Sequence, residues 1–533
     1  MRIRIVGAGA MGRGIAQWAA TAGHTVELCD ARAEAVTAAV EFVRSMLERA
    51  VQKGRMSAED AAAAVERLIP LDDPWAAGPD VGLVVEAVRE DLGTKAEVFG
   101  RLEEALPATT VFATNTSSLS VTRIAAALKD PTRLAGLHFF NPVPLMRIVE
   151  VVPGAATRPE IPPALTAFVE GCGHRAVTVA DTPGFLVNHA GRGLVTEALA
   201  LLEESVGEPA DIDRIARDVL GLRMGPFELM DLTGLDVTAA VIDSIWRGFR
   251  YEDRLRPSYL TPNRVTAGLH GRKTGRGWFA YGPEAPGPAS EPPVTGDAGR
   301  PVFVHGAGGR DGDAAALREA LTAGGAAVEA GAAPSASAVV LVPVWGTTVA
   351  SAVAAHGLPR ERAFGVDPLP PAGRRRVLAV TPAADPAAAR DARAVLARAA
   401  DGGDPYAVSV VRDTAGSVAQ RLLASIVSVA SSIAERSLAS PADIDLAVTT
   451  GLGYPVGPLA WGDRVGAARM LELHRALHRS TGDPRHRPTR WVTERAELGL
   501  ALTDSGTSPA DCGDGAGHEG GDAHGRGVGT GAA

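Results

Sequence analysis

Cysteine is scarce: Cys29, Cys172 and Cys512 are the only three in 533 residues, and their spacing fits neither disulfide pairing nor metal binding. A disulfide framework is therefore excluded, no metal centre is expected, and a reducing compartment suits the chain. Aromatic residues make up only 5%, and no basic stripe with interleaved aromatics occurs. Together with a formal net charge of −9, this argues against nucleic-acid or anionic-membrane partners. No apolar run reaches the ~20 residues of a membrane span, and the first strand starts too early to leave room for a signal peptide. A cytoplasmic protein is expected. Hydrophobic residues, by contrast, make up 46%, enough for full-sized cores, and the length calls for more than one domain.

The first thirty residues organise the rest. Arg2-Ile3-Arg4-Ile5-Val6 reads as a strand, Gly7-Ala8-Gly9-Ala10-Met11-Gly12 as a glycine turn, and Gly14 to Ala20 as a helix. A second strand, Thr25-Val26-Glu27-Leu28, ends in Asp30. Strand, glycine turn, helix, strand and acid come in the order a dinucleotide requires. Gly7 permits the turn, Gly9 lets a pyrophosphate approach the backbone, and Gly12 lets the helix pack on the strand. The phosphates would lie on the positive end of that helix, over Ala10 and Met11. Asp30 can accept both ribose hydroxyls and would repel the extra phosphate of NADP, so NAD is the expected cofactor. The plainer alternative is a turn that only packs a helix on a sheet.

A helical hairpin is expected from Glu34 to about Leu68, bent near Lys53-Gly54-Arg55 and restarting at Ser57. Strands at Val81–Glu86, Thr110–Thr114 and Leu134–His138 alternate with helices at Asp91–Leu106 and Val121–Leu128. This alternation implies a parallel, doubly wound α/β sheet with ligands at the carboxyl ends of its strands. Polar residues gather at those ends: Glu86 and Glu90, Asn115 and Ser117, His138 and Asn141. Glu150 lies inside the apolar run Ile148-Val149-Glu150-Val151-Val152, where a carboxylate needs a partner. Imidazole is the natural one, giving a His138–Glu150 pair able to take a hydroxyl proton while hydride leaves the same carbon. A structural ion pair is the alternative.

Helices dominate beyond Asp181, and the C-terminal part repeats them. Asp181-Thr182-Pro183-Gly184 matches Asp413-Thr414-Ala415-Gly416, Pro209 to Asp213 matches Pro441 to Asp445, Gly225-Pro226 matches Gly457-Pro458, and Asp231 matches Asp463. Every pair is 232 positions apart, a duplication without gaps. Between the copies, Val302 to Gly309 resembles the first strand and glycine turn, with Asp311 where the third glycine would fall. Laid on the first copy, Asp367 replaces His138, Pro370 replaces Asn141, Ala379 replaces Glu150 and Gln420 replaces Asn188. The second half has thus lost the dyad and is expected to be structural. The expected organisation is a Rossmann-type unit over 1–180, a helical unit over 181–282, a linker over 283–299, a degenerate Rossmann-like insert over 300–412, a second helical repeat over 413–503, and a disordered tail from 504.

Three motifs carry a family resemblance: Leu137-His138-Phe139-Phe140-Asn141-Pro142-Val143-Pro144, Thr114-Asn115-Thr116-Ser117-Ser118, and Asp181-Thr182-Pro183-Gly184-Phe185-Leu186-Val187-Asn188. With them the chain resembles the L-3-hydroxyacyl-CoA dehydrogenases from Met1 to about Tyr281 and again through the second helical repeat. The resemblance implies NAD-dependent, reversible oxidation of a 3-hydroxyacyl-CoA thioester. It makes His138 the general base and Glu150 its orienting carboxylate, and has Ser117 and Asn188 bind the reacting hydroxyl and thioester oxygens. Asp30, Glu90, Lys95, Asn115, Asn141 and Lys273 join the glycine loop as cofactor contacts, and Lys53 lies near the CoA phosphates. Arg256-Pro257-Ser258 and the run Gly453-Tyr454-Pro455 to Gly462 are similar to a bacterial subgroup. That subgroup includes 3-hydroxyadipyl-CoA dehydrogenases of phenylacetate breakdown and 3-hydroxybutyryl-CoA dehydrogenases. The chain is too short to add a hydratase domain. A related sugar-acid dehydrogenase and a non-catalytic acyl-CoA or NAD-binding scaffold are the rival readings. Either a monomer, with the second repeat mimicking a dimer interface, or a homodimer fits.

Overall fold

The computed structural model describes residues 1–283, 285, 290–306, 309–399 and 403–507. Its first unit runs β1 (Arg2–Val6), α1 (Ala10–Thr21), β2 (Thr25–Cys29), α2 (Ala33–Gln52), α3 (Ala58–Glu66) and β3 (Leu68–Pro70). It continues through β4 (Val81–Glu86), α4 (Leu92–Ala105), β5 (Val111–Thr114), α5 (Val121–Ala125), β6 (Leu134–Phe139), β7 (Ile148–Pro153), α6 (Ile161–Gly171) and β8 (Arg175–Thr178). Side-chain caps set several helix starts: Ser57 accepts from the Asp60 amide to open α3, and Asp91 accepts from the Thr94 amide to open α4, each satisfying a donor that the helix cannot.

The strands form one sheet in the order β3-β2-β1-β4-β5-β6-β7-β8. The strand order switches sides between β1 and β4, which run parallel, the point where such sheets open a ligand crevice. The sheet departs from the wholly parallel expectation at β7, which runs antiparallel to β6. Only Phe140 to Arg147 connects those strands, too short for the crossover that a parallel neighbour needs. The antiparallel register sets His138 directly opposite Glu150.

The helical unit comprises α7 (Val187–Ala190), α8 (Arg192–Glu203), α9 (Pro209–Asp218), α10 (Pro226–Thr233), α11 (Leu235–Gly248) and α12 (Leu260–Thr266). A second, five-stranded sheet follows, with β9 (Val302–Val304), α13 (Asp311–Ala323), β10 (Val339–Pro343), α14 (Val349–His356), β11 (Ala363–Val366), β12 (Arg375–Val380), α15 (Pro386–Leu396) and β13 (Ala407–Arg412). The second helical unit is α16 (Ser417–Glu435), α17 (Pro441–Gly451), α18 (Pro458–Val465), α19 (Ala467–Thr481) and α20 (Arg490–Leu498).

Ala307 and Gly308 of the expected glycine turn lie outside the described residues, and the strand order of the second sheet, β13-β12-β11-β10-β9, corrects the reading of Val302 to Val304 as a degraded first strand. Its pattern of three parallel strands followed by an antiparallel one copies β4 to β8. β9 and α13 therefore take the places of β4 and α4, and the glycine-loop half of the fold has no counterpart in this sheet. The strand pairing also shifts the expected alignment: Ala379 lies opposite Gly365, and one further step along the ladder brings Val377, not Ala379, opposite Asp367. Neither residue is a carboxylate.

The two copies meet about a pseudo-twofold axis. Gly193 of α8 sits against its own equivalent, and a Cβ there would come within 2.8 Å of the Ser425 carbonyl oxygen. Glycine is what allows these two helices to touch. Two backbone bonds are exchanged reciprocally: Ala180 donates to Leu438, and their equivalents Arg412 and Val206 do the same at 2.8 Å. This is the self-complementary arrangement of a twofold dimer, built within one chain. The repeated acids explain the duplicated motifs. Asp181 caps α5 through Val121 and Thr122, and Asp413 caps α14 through Val349 and Ala350. Asp213 and Asp445 likewise receive the first amides of α10 and α18.

Among the described helices α16 alone is long and apolar enough, by length and composition, to cross a membrane. It is instead enclosed by α8, α18 and α20. The ordered chain also extends past the expected start of the tail: the Asp504 carbonyl accepts from Arg495 Nη2 at 2.6 Å. Residues 508–533, including His518 and His524, lie outside the described residues.

The pseudo-dimer interface holds a buried ion pair, Glu197 with Arg421 Nε at 2.5 Å, and Arg485 adds a second cation to Glu197. Burial alone would raise the Glu197 carboxyl, but Arg421, His486 and Arg485 together hold it down to about 2. A lowered carboxyl stabilises the fold fully above its unfolded value, and that contribution is lost as pH falls through the folded value. Glu197→Gln is therefore expected to destabilise the protein at pH 7 by about 3 kcal/mol, because it breaks a buried pair. In chemical denaturation the gap to wild type should close between about pH 4.5 and pH 2.

Candidate active site

The crevice at the carboxyl ends of β1 and β4 is shaped by three glycines. Gly7 has φ +109°, and a Cβ there would meet the Ala87 carbonyl oxygen at 2.5 Å. On Gly12 a Cβ would overlap the Gly7 carbonyl oxygen, so the loop can lie on α1 only with glycine at this position. Gly9 differs: its φ is an ordinary −69°, and nothing lies within 4 Å of its missing Cβ. It opens α1 facing open space, where the unpaired first-turn amides of Ala10 and Met11 can receive an anion. The Asp30 carboxylate leans on this loop, accepting from the Ala8 amide at 2.8 Å and the Arg32 amide at 3.1 Å. The open cradle and the acid beside it fit a dinucleotide diphosphate and its ribose.

From β4 a buried ionic chain runs toward β5. Glu86 accepts from Lys95 Nζ at 2.6 Å and from Thr114 Oγ1 at 2.7 Å. Lys95, also buried, reaches Glu90 at 3.3 Å. Glu90 then collects the turn after β5, accepting from Thr116 Oγ1 and from the amides of Ser117 and Ser118. Burial alone would raise its carboxyl, but the Thr116 bond, the charge of Lys95 and the serine donors bring it down to about 2. Ser117 is thereby held at the surface of the crevice. Asn115 ties the turn to the next strand by accepting from the Phe139 amide at 2.8 Å.

His138 stands at the end of β6 with its Nδ1 2.5 Å from Glu150 Oε2. Glu150 is fully buried, and its other oxygen accepts from the Leu186 and Val187 amides at 2.9 and 2.8 Å. An ionised carboxylate only accepts, so Nδ1 carries the proton and Nε2 is left as the basic atom. Phe140 and Phe185 pack on the imidazole. The backbone at Gly184 and Phe185 takes φ +75° and +48°, an unfavourable conformation for phenylalanine that strong local contacts must hold. It turns the two following amides onto Glu150 and starts α7, which carries Asn188.

Most of the residues expected to act together are therefore brought together on two adjoining elements: the strand ends (Asp30, Glu90, Asn115, Ser117, His138, Glu150) and the start of α7 (Asn188). Lys95 is close by but sealed between two carboxylates. Asn141 is exposed on the loop after β6. Lys273 comes from the helical unit, paired with Asp236 at 2.5 Å. Lys53 stands apart, exposed at the tip of the α2–α3 hairpin. Three features escaped the sequence reading: Glu86 as a partner of Lys95, the second task of Glu150 as an anchor for α7, and the aromatic contacts of His138. Glu86 carried the same signal as Glu150, an acid on a buried strand. In the second half Gln420 Nε2 donates to Asp367 at 3.0 Å, an acid–amide contact where the first half has a base.

A family model for the NAD binding domain of 3-hydroxyacyl-CoA dehydrogenase matches residues 2–182, and the model for its C-terminal domain matches twice, at 184–281 and 416–510. The 3-hydroxyadipyl-CoA dehydrogenase of Escherichia coli K12 is 36% identical over 93% of this chain and 97% of its own length. A probable 3-hydroxybutyryl-CoA dehydrogenase of Bacillus subtilis is 36% identical over 97% of its length but only 52% of this chain. Among solved structures, the 3-hydroxybutyryl-CoA dehydrogenase of E. coli K12 matches with a TM-score of 0.81 at 34% identity, covering 93% of this chain and 98% of that one.

Gly9→Val is expected to leave the melting temperature near that of wild type, since the added side chain enters open space. The same change should weaken NADH by at least about tenfold in a fluorescence titration, because it fills the phosphate cradle. Asp30→Ala should weaken NAD and raise tolerance of NADP; an unchanged ratio of the two kcat/KM values would sink the ribose assignment.

Proposed function

The chain belongs to the 3-hydroxyacyl-CoA dehydrogenase family, and from that membership we propose how its residues divide the NAD-dependent oxidation of a 3-hydroxyacyl-CoA to the 3-oxoacyl-CoA. The observation that carries the reading is the bond of His138 Nδ1 to a buried Glu150 that is itself anchored to the start of α7.

The glycine loop would hold the diphosphate, Asp30 the adenosine ribose, and Glu90, Lys95, Asn115, Asn141 and Lys273 the remainder of the cofactor. When bound, NAD⁺ supplies the acceptor for the hydride that leaves C3. His138 Nε2 takes the proton of the C3 hydroxyl as the carbonyl forms, and Glu150 balances the imidazolium that results. Ser117 and Asn188 bond the reacting hydroxyl and thioester oxygens. Both are neutral, so they follow the change from hydroxyl to carbonyl without a change of charge. In the reverse direction protonated His138 returns its proton to the carbonyl oxygen. Lys53 and Arg55 on the exposed hairpin are the cations for the CoA phosphates.

The substrate is a short or dicarboxylic 3-hydroxyacyl-CoA, 3-hydroxybutyryl-CoA or 3-hydroxyadipyl-CoA, of fatty-acid or phenylacetate degradation. The names of the relatives support this range. A monomer is proposed, because α16 already covers the face of α8 on which a second subunit could pack.

The test is NADH oxidation with acetoacetyl-CoA and 3-oxoadipyl-CoA in parallel. Turnover of either supports the reading; no turnover of either with NADH still bound refutes it. His138→Ala should lower kcat by about 10²–10⁴-fold, the usual contribution of a general base, while NADH affinity stays near wild type. Near-normal turnover would remove the proposed base.

A further inference from the structure

The helical segment that presents Asn188 also presents an arginine without a counter-charge. Arg192 opens α8 one turn after Asn188, and its Nε donates to the Asn188 carbonyl at 2.9 Å. That bond lays the side chain back along the turn that carries Asn188. Among the described residues its guanidinium has no carboxylate partner. Arg254 and Arg421, buried in the same units, are paired with Glu252 and with Glu197 and Glu204, while the buried Arg495 is taken up by the Asp504 and Ser505 carbonyls and the Trp491 ring.

The second helical repeat closes over this position. Gly191 packs on Leu452, whose Cδ1 would lie 3.2 Å from an added Cβ. Gly451, at the end of α17, packs equally close to Val187, 3.1 Å from its Cγ1. The loop that follows α17 brings in Tyr454, buried, two residues beyond the Leu452 that packs on Gly191. Burial lowers Arg192 to about 10, with Tyr454 the only group acting against it. His189 alongside is kept neutral, held down to about 3 by burial and by the charges of Arg436 and Arg192, and supplies no anion. Arg192 is nevertheless half-buried and keeps some contact with solvent. The equivalent position of the second repeat, which lacks the dyad, is Ala424. The arginine occurs only in the copy that has the base.

We propose that Arg192, assisted by the Tyr454 hydroxyl, binds the terminal carboxylate of a dicarboxylic 3-hydroxyacyl-CoA and selects that substrate over monocarboxylic ones. The proposal rests on the assignment of His138 and Asn188 to the C3 oxygen and the thioester. Four residues of helix span about 6 Å, a separation suited to a carboxylate three carbons beyond C3. A guanidinium can meet that carboxylate through two parallel hydrogen bonds. An unpaired, enclosed cation has a strong demand for such an anion. Through Tyr454 the second half would contribute directly to the substrate site.

The test compares 3-oxoadipyl-CoA with 3-oxohexanoyl-CoA, which carries a methyl group where the former carries the carboxylate, by NADH oxidation. Wild type should favour 3-oxoadipyl-CoA. Arg192→Met should lower the ratio of the two kcat/KM values by about 30-fold or more, the scale of a lost charge-assisted hydrogen bond, mainly through KM. Arg192→Lys should restore part of the ratio, and Tyr454→Phe should lower it by about threefold to tenfold. These two variants carry the test if Arg192→Met does not fold. Equal losses on both substrates, or an unchanged ratio, would overturn the proposal. Wild type that turns over 3-oxohexanoyl-CoA without favouring 3-oxoadipyl-CoA would overturn it too, while leaving the dehydrogenase reading intact. Failure of both substrates would bring down both.

Discussion

Glu150 is a carboxylate with no access to water, and its charge has to be satisfied by neighbours from two different units of the protein. One oxygen faces His138 across the β6–β7 ladder, and the other takes two amides at the start of α7. Removing any of these would leave a buried charge short of partners, which is costly in a low-dielectric interior. The same group therefore orients the His138 imidazole and docks the helix that carries Asn188. Sheet and helical unit cannot shift against each other without disturbing the imidazole. The left-handed backbone at Phe185 serves this demand, since it is the bend that turns both amides toward one oxygen.

The second half shows what the architecture becomes without that carboxylate. Gly416 and Ser417 keep the same left-handed pair, with φ +79° and +52°, so the bend is inherited by the fold. The imidazole is gone, and Gln420 with Asp367 fills the polar space by direct contact. Among the described residues the second sheet also lacks a counterpart to β1–β3, and so has no strand to carry an acid like Asp30. What remains is packing surface: α16 buried against α8, reciprocal backbone bonds between the copies, and a shielded Glu197–Arg421 pair. A twofold interface within one chain needs no association step, so the loss of translational and rotational freedom that opposes dimerisation does not arise.

Much of this was legible from residue order alone, and the particular cases show why. The glycine turn, Asp30 and the alternating elements are local patterns, where each residue's requirement is set by neighbours a few positions away. The 232-residue duplication was legible for the same reason, since Asp213 and Asp445 each cap a helix only fourteen residues on. Glu150 announced itself as a polar residue in an apolar strand, and imidazole was the partner its chemistry suggested. Local pattern misled where pairing decides. Val302 to Val304 looked like a first strand, yet strand order assigns it the place of β4, and the spacing that set Ala379 against Asp367 was displaced by the register of β11 with β12.

The sequence by itself determined the elements, the glycine turn, the pairing of an imidazole with Glu150 and the repeat, because each depends on short-range geometry and on residue chemistry. Only the tertiary structure decided that β7 runs antiparallel and so sets Glu150 opposite His138. It alone decided that Lys95 is sealed between Glu86 and Glu90, and that α16 is enclosed rather than exposed. It also brought the Leu452 loop onto the turn at Gly191 across more than 250 residues of chain. Those outcomes depend on which surfaces meet after the chain has folded back on itself. Long-range pairing of that kind is a property of the packed whole, and no window of sequence contains it.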